Sequence, residues 1–274
     1  MPGLFFGSAD RLLHLIDVKR FVVAAVTFAS SPVSQQPDAP MENPTVQMNK
    51  SLKVNSRDKA ILVRTPFMTA LGGESLVKML NAATVVSVPA RHVVFREAAP
   101  ADNFFCVLGG YVRLYRLNKE GREADIRICG PGDTFAECLI FGDDVYRFNA
   151  QAAENATLAR FDIRAVRLLA EQEPDIAKAI MACLSHHLLS TMDCVANDRL
   201  HTAQQRVAEY LLKNCPVDGG STSLRLPFQK SLLAGMLGLA PEALSRAFSS
   251  LRRIGVTVRG RIVQIGDVSA LRDV

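Results

Sequence analysis

Residues Leu226–Val258, LPFQKSLLAGMLGLAPEALSRAFSSLRRIGVTV, decide how the chain is read. Apolar residues Leu232, Leu233, Met236 and Leu237 recur at helical spacing and predict a first helix over about Gln229–Leu237. Gly238-Leu239-Ala240 makes a turn, and Pro241 suits the first position of a second helix, where a missing N–H costs nothing. Leu244, Phe248 and Leu251 follow at steps of four and three and form its inner face. Glu242, Ser245, Arg246 and Ser249 are left on the outer face, and a basic hairpin follows. Two short helices at a tight turn describe a helix-turn-helix. An arginine there can hold guanine O6 and N7 with two bonds, and a glutamate can accept from cytosine N4. The plain alternative is a helical hairpin in which Glu242 and Arg246 form an i,i+4 pair in solvent.

Charge favours the nucleic-acid reading. Residues 199–274 hold eleven Lys and Arg against five Asp and Glu, a net +6. The whole chain is +5, so the remainder sums to −1. The positive charge therefore lies with the helix-turn-helix, as a phosphate-binding surface requires. Lys230, Arg252, Arg253, Arg259 and Arg261, with Ser249, are the candidate phosphate contacts, and Glu242, Ser245 and Arg246 the base readers.

Upstream, residues 84–161 are short runs of Val, Ile, Phe and Tyr broken by turn residues. Candidate strands are Val85–Val88, Val93–Phe95, Phe104–Val107, Tyr111–Leu117, Asp125–Cys129 and Leu158–Phe161. Their spacing predicts a small antiparallel roll. A helical pattern over 56–81 precedes it, and a short helix over 164–172 follows. A long helix then runs from Pro174 to about Asp198, with Ile176, Ile180, Leu184, Leu188, Met192 and Val195 as a narrow apolar seam. That seam suits a second copy of the chain, with Ile180, Leu184, Leu188, Met192 and Val195 at the dimer contact. Packing against its own roll is the alternative, and the two can coexist. A further helix is expected over 202–214.

The fold class is α+β: a β-roll sensor domain over 56–172, a dimerisation helix over 173–199 and a winged helix-turn-helix over 200–274. Residues 1–50 are read as an extension. Lys19-Arg20 and FVVAAVTFAS look like a signal peptide, but the run is too short to span a membrane and export conflicts with DNA binding. The Pro-, Ser- and Gln-rich residues 30–50 read as disordered, and Met41 or Met48 is the expected true start. No membrane partner is read.

Order and motifs together resemble the Crp/Fnr family of bacterial transcription regulators. The stretches that carry the likeness are GGYVRLYRLNKEGREADIRICGPGDTFAE at Gly109–Glu137 and LAGMLGLAPEALSRAFSSLRRIGV at Leu233–Val256. The resemblance implies a cytoplasmic homodimer that binds double-stranded DNA and works with RNA polymerase. Glu242, Ser245 and Arg246 match the Glu-x-x-Ser-Arg of the Fnr-type recognition helix, which implies TTGAT half-sites in an inverted repeat. LPFQKSLLAGMLGLAPEALSRAFSSL further resembles the Dnr/Nnr-like branch, associated with nitric oxide and haem.

The effector is less legible. No cysteine precedes Cys106, which speaks against an Fnr-type iron–sulfur cluster. In the cyclic-AMP binders a Gly-Glu pair and an Arg-Ser/Thr-Ala stretch hold the phosphate. Glu137, Arg147 and Phe148 occupy the corresponding effector pocket here. Ala136 replaces the glycine and Phe148 the hydroxyl residue, so a cyclic nucleotide is disfavoured. His186 and His187 on the long helix are the candidate haem ligands, or polar residues flanking the seam. Six cysteines without a C-x-x-C pair read as free thiols in a reducing compartment. No metal site is expected. With only His92 in the roll, and no P-loop, nucleophile motif or dinucleotide fingerprint, no enzyme is read either.

Overall fold

A computed structural model describes residues 49–274 apart from 53, 143 and 228. The signal-like run and the expected start at Met41 or Met48 lie outside the described residues.

The roll is built from two antiparallel sheets. Its strands are β1 Asn49–Leu52, β2 Ala83–Val88, β3 Val93–Phe95, β4 Asn103–Gly109, β5 Val112–Leu117, β6 Glu123–Cys129, β7 Thr134–Phe135, β8 Asn149–Ala152 and β9 Ala156–Asp162. The order is β1-β2-β9-β4-β7 in one sheet and β3-β8-β5-β6 in the other. All six expected strands are present. Asn49 and Lys50, read from composition as part of the extension, belong to β1, where Asn49 pairs with Ser87. Strands β7 and β8 went unread because they are two and four residues long, too short to show alternation. Aromatic rings fill the space between the sheets. Phe95 stacks on Tyr146 at 3.7 Å between centroids, and Phe105 on Phe135 at 5.2 Å.

Helices α1 Ser56–Leu62, α2 Pro66–Thr69 and α3 Gly73–Ala82 replace the single helical stretch expected over 56–81. Asn55 Oδ1 caps the start of α1 by accepting from Asp58 N, Thr65 Oγ1 marks the first break by accepting from Met68 N, and the second break falls at Gly72. After the roll come α4 Ile163–Gln172 and α5 Pro174–Leu200, with Pro174 in the first turn of α5.

Only the first part of α5 packs on its own roll. Ile176, Ala179, Ile180 and Cys183 are buried, and Leu184 is half-buried against the same core. Leu188, Met192 and Val195 are 62%, 59% and 46% exposed, and Leu189 and Met181 join them. The expected seam is corrected accordingly: Ile180, 1% exposed, is buried in the core of its own roll. The reason is angular. Steps of four residues advance the line by about 40° each at 3.6 residues per turn, so it winds from the roll side to the free side. By length and composition alone α5 is apolar enough to cross a membrane, but its Ile176–Cys183 portion is already committed to the roll.

The C-terminal part has its own core. It comprises α6 Ala203–Asn214, β10 Thr222–Arg225, α7 Lys230–Met236, α8 Pro241–Leu251, β11 Val256–Arg259 and β12 Ile262–Ile265. Thr202 and Gln205 form a reciprocal capping box at the start of α6. Val207, Leu211, Leu226, Leu233, Leu244, Leu251 and Val263 are the buried centre. The three strands lie in the order β10-β12-β11.

Candidate nucleic-acid interface

Helix α8 is held from behind. Leu244, Ala247, Phe248 and Leu251 are buried against α6 and α7, while Glu242, Ser245, Arg246 and Ser249 are exposed together on the outer face. This is the division the sequence predicted. The turn before α8 requires Gly238 at φ +60°, where a Cβ would stand 3.0 Å from Asp198 Oδ1. In α7 the inner pair is Leu233 and Ala234. Met236, expected inside, is 39% exposed because α7 ends there, after seven residues.

Around α8 the cations divide into two groups. Lys230 lies 5.9 Å from the Phe248 ring and is exposed beside Ser249 and Arg252 in the groove between α7, α8 and the hairpin. Arg252 and Arg253 are exposed on the 3-10 turn that follows α8, and Arg259 is exposed at the hairpin tip. Arg261 is half-buried, and its Nε donates to Leu226 O at 3.0 Å, which ties the tip to the chain before α7. Ser249 Oγ donates to Ser245 O at 3.0 Å. Arg225 escaped the sequence reading. It pairs across β12 at Ile262, as Arg259 does from the other side, so the three side chains share one exposed face. The only sequence signal was the short alternation Thr222–Arg225, which reads equally as a loop.

The expected effector residues are not arranged as a phosphate cradle. Ala136 adopts the left-handed conformation at φ +66°, which turns the chain into a 3-10 turn at Glu137–Ile140. Glu137 is 7% exposed and directs Oε1 to His187 Nδ1 at 2.6 Å. Arg147 lies on the surface, and Phe148 packs on Phe95 with centroids 5.7 Å apart. Haem fits no better. Both ring nitrogens of His187 are engaged, with Arg127 Nη1 3.4 Å from Nε2. His186 is exposed, and stacked rings occupy the roll interior.

What the fold does assemble is a polar joint between the roll and α5. Arg127 reaches Asp133 Oδ1 at 3.2 Å and Thr134 O at 3.4 Å, and Thr134 Oγ1 lies 3.4 Å from Cys183 Sγ. Cys183, Glu137 and His187 bring their ligand atoms within 4.8 Å of one another. No local spacing in the sequence shows this convergence, because Glu137 and His187 stand fifty positions apart. Of the six cysteines, Cys106, Cys129 and Cys183 are buried, Cys138 and Cys194 exposed and Cys215 intermediate. Burial pushes the Cys129 thiol up to about 12 and raises Cys106 and Cys183 as well.

Comparison with known proteins agrees with this architecture. Residues 85–173 match the Cyclic nucleotide-binding domain family, and residues 205–274 the Crp-like helix-turn-helix domain family. The nitrogen fixation regulation protein FixK of Rhizobium meliloti is 31% identical over 182 residues, covering 65% of this chain and 81% of FixK. A CRP-like cAMP-activated global transcriptional regulator of Mycobacterium tuberculosis is 24% identical over 216 residues, or 77% and 96% of the two chains. The structure of FixK2 from Bradyrhizobium japonicum superposes with a TM-score of 0.59 at 24% identity, over 70% of this chain and 96% of FixK2, a likeness of fold. With the outward face of α8 and the two matched domains in place, the chain belongs to the Crp/Fnr family and is a DNA-binding transcription regulator of that type.

Proposed function

We propose that this regulator binds DNA as a homodimer and reads an inverted repeat with TTGAT-like half-sites. The observation that carries the reading is the outer face of α8, where Glu242, Ser245 and Arg246 are exposed over a packed inner face. Arg246 takes guanine O6 and N7, Glu242 accepts from cytosine N4, and Ser245 assists. Arg225, Arg252, Arg253, Arg259 and Lys230 are the phosphate contacts that fix register. Arg261, spent in part on Leu226 O, contributes less.

Pairing follows from the free face of α5. Leu188, Leu189, Met192 and Val195 sit on a helix whose far half touches little of its own chain. Such a half-helix is marginal alone and gains stability from a partner helix. A second copy places two α8 helices about 34 Å apart, one turn of duplex. RNA polymerase is the further partner and the cytoplasm the compartment.

For the effector, the polar joint at Glu137 and His187 favours a signal acting between the roll and α5. The cyclic-nucleotide alternative, suggested by the mycobacterial relative, meets Ala136 and Phe148 where a phosphate needs open backbone N–H groups. The nitric-oxide alternative through haem meets a roll interior filled by stacked rings, Phe95 on Tyr146 and Phe105 on Phe135.

Fluorescence anisotropy tests the proposal, with a TTGAT inverted repeat against a scrambled duplex at one fixed salt concentration. Tight binding to the repeat alone is expected. Equal affinity for both duplexes excludes the assigned base readers. Cyclic AMP and haem with nitric oxide, added in separate arms, are expected to leave the affinity unchanged.

A further inference from the structure

We propose that Glu137, Cys183 and His187 form a binding site for a divalent transition-metal ion of zinc type. Their ligand atoms converge within 4.8 Å, from the turn after β7 and from two positions one turn apart on α5. Ligands around a tetrahedral ion, at about 2.0–2.3 Å from it, stand about 3.3–3.8 Å apart, so small side-chain shifts admit the ion.

A second observation points to a missing ligand. Glu137 is 7% exposed, and its Oε2 is buried with no hydrogen-bond partner. A buried carboxylate oxygen left unpaired is costly, and a cation at the cluster satisfies it. The charges also balance: thiolate and carboxylate neutralise a divalent ion, His187 binds neutral, and Arg127 keeps its own partner in Asp133. Imidazole and thiolate together select zinc-like ions over calcium or magnesium.

Supporting groups are present. Thr134 Oγ1, 3.4 Å from Cys183 Sγ, becomes a donor to the thiolate, the kind of contact that orients a metal ligand. His187 is 18% exposed in its side chain, which leaves a path for the ion and an open fourth position for water. When His187 binds through Nδ1, its Nε2 carries the proton, and Arg127 can no longer donate to it. The guanidinium then rests on Asp133 and Thr134 O alone. An ion here ties α5 to the roll while loosening β6 from α5. The site thus sits where the roll meets the helix proposed for pairing.

Cobalt(II) is the probe, titrated into the reduced, full-length protein without DNA and without oxygen. A thiolate-to-cobalt charge-transfer band that saturates at one ion per chain and is erased by zinc is expected. Cys183→Ser should abolish the band, and His187→Gln should weaken cobalt binding by about tenfold or more. Thermal melts check that each variant folds. If Cys183→Ser does not fold, His187→Gln decides. Absence of the band, its survival in Cys183→Ser, or unchanged affinity in His187→Gln overturns the proposal. The spectra involve no DNA, so their failure leaves the DNA-binding reading standing, and failure on the inverted repeat leaves the metal site standing.

Discussion

At the scale of single residues, Arg246 separates base reading from simple attraction to phosphate. Its side chain is exposed one helical turn after Glu242, on a helix fixed from behind by Leu244 and Phe248. Arg246→Ala should weaken the specific complex by about 1–3 kcal/mol and flatten preference at one base pair. Anisotropy on duplexes permuted at each position checks this, and an equal loss on every duplex makes Arg246 a phosphate contact. The cysteines give a second residue-scale test. Cys106, Cys129 and Cys183 are buried with raised thiol pKa values, whereas Cys138 and Cys194 are exposed. Burial raises the Cys194 thiol too, so access decides the order, and a thiol reagent at mildly alkaline pH should label Cys138 and Cys194 first, as peptide mass mapping can follow. Early labelling of Cys129 means that β6 opens in solution. The outward placement of Glu242, Ser245 and Arg246 was legible beforehand because one turn and one helix hold all three. Glu137 was named as part of an effector pocket, but its partner His187 lies fifty positions away on another element. No local pattern shows that pairing.

Elements raise different questions. The long helix α5 divides its apolar line between two neighbours, and the division follows from the drift of four-residue steps. Leu188→Asp puts a charge on the free face at a residue 62% exposed in the single chain, so the chain's own fold should hold. The dimer should be lost, and affinity for the full repeat should fall while that for a half-site stays. Sedimentation showing an intact dimer moves the pairing surface off α5. The hairpin makes the complementary case. Arg225 and Arg259 flank Ile262 on one exposed face. Arg259→Ala should lower affinity uniformly and reduce the salt slope by about 0.9. An unchanged slope removes the hairpin from the interface. The sequence supplied the hairpin but not its third strand, since four residues after a Gly-Gly turn carry too little alternation to be told from loop.

Across the whole molecule, the DNA-binding part rests against the roll. Gly235 of α7 approaches β6 so closely that a Cβ would stand 2.5 Å from Asp125 Oδ2, and Arg113 holds Asp125 in place at 2.6 Å. Tyr111 of the roll packs onto the second core. Arg206 joins the other end, paired with Asp198 of α5 and donating to Leu237 O at 2.8 Å in the turn before α8. Gly235→Leu should break the α7–β6 contact, where the added side chain meets Asp125 and Ile128. Faster amide exchange in both segments, with thermal stability little changed, is expected. Unaltered exchange would mean that the two parts are already separated in solution.

The order of the main parts is written in the chain: an antiparallel roll, a long helix and a winged helix-turn-helix whose second helix shows Glu242, Ser245 and Arg246. These follow from periodicity, capping and turn residues, which act over a few positions of chain. What each face meets came with the folded chain. It put Ile180 in the core, gave Arg261 to Leu226 O and Arg225 to the hairpin face, and brought Glu137, Cys183 and His187 together. The physical reason is that burial and charge pairing depend on distances in space between segments far apart in the chain, and periodicity carries no record of them.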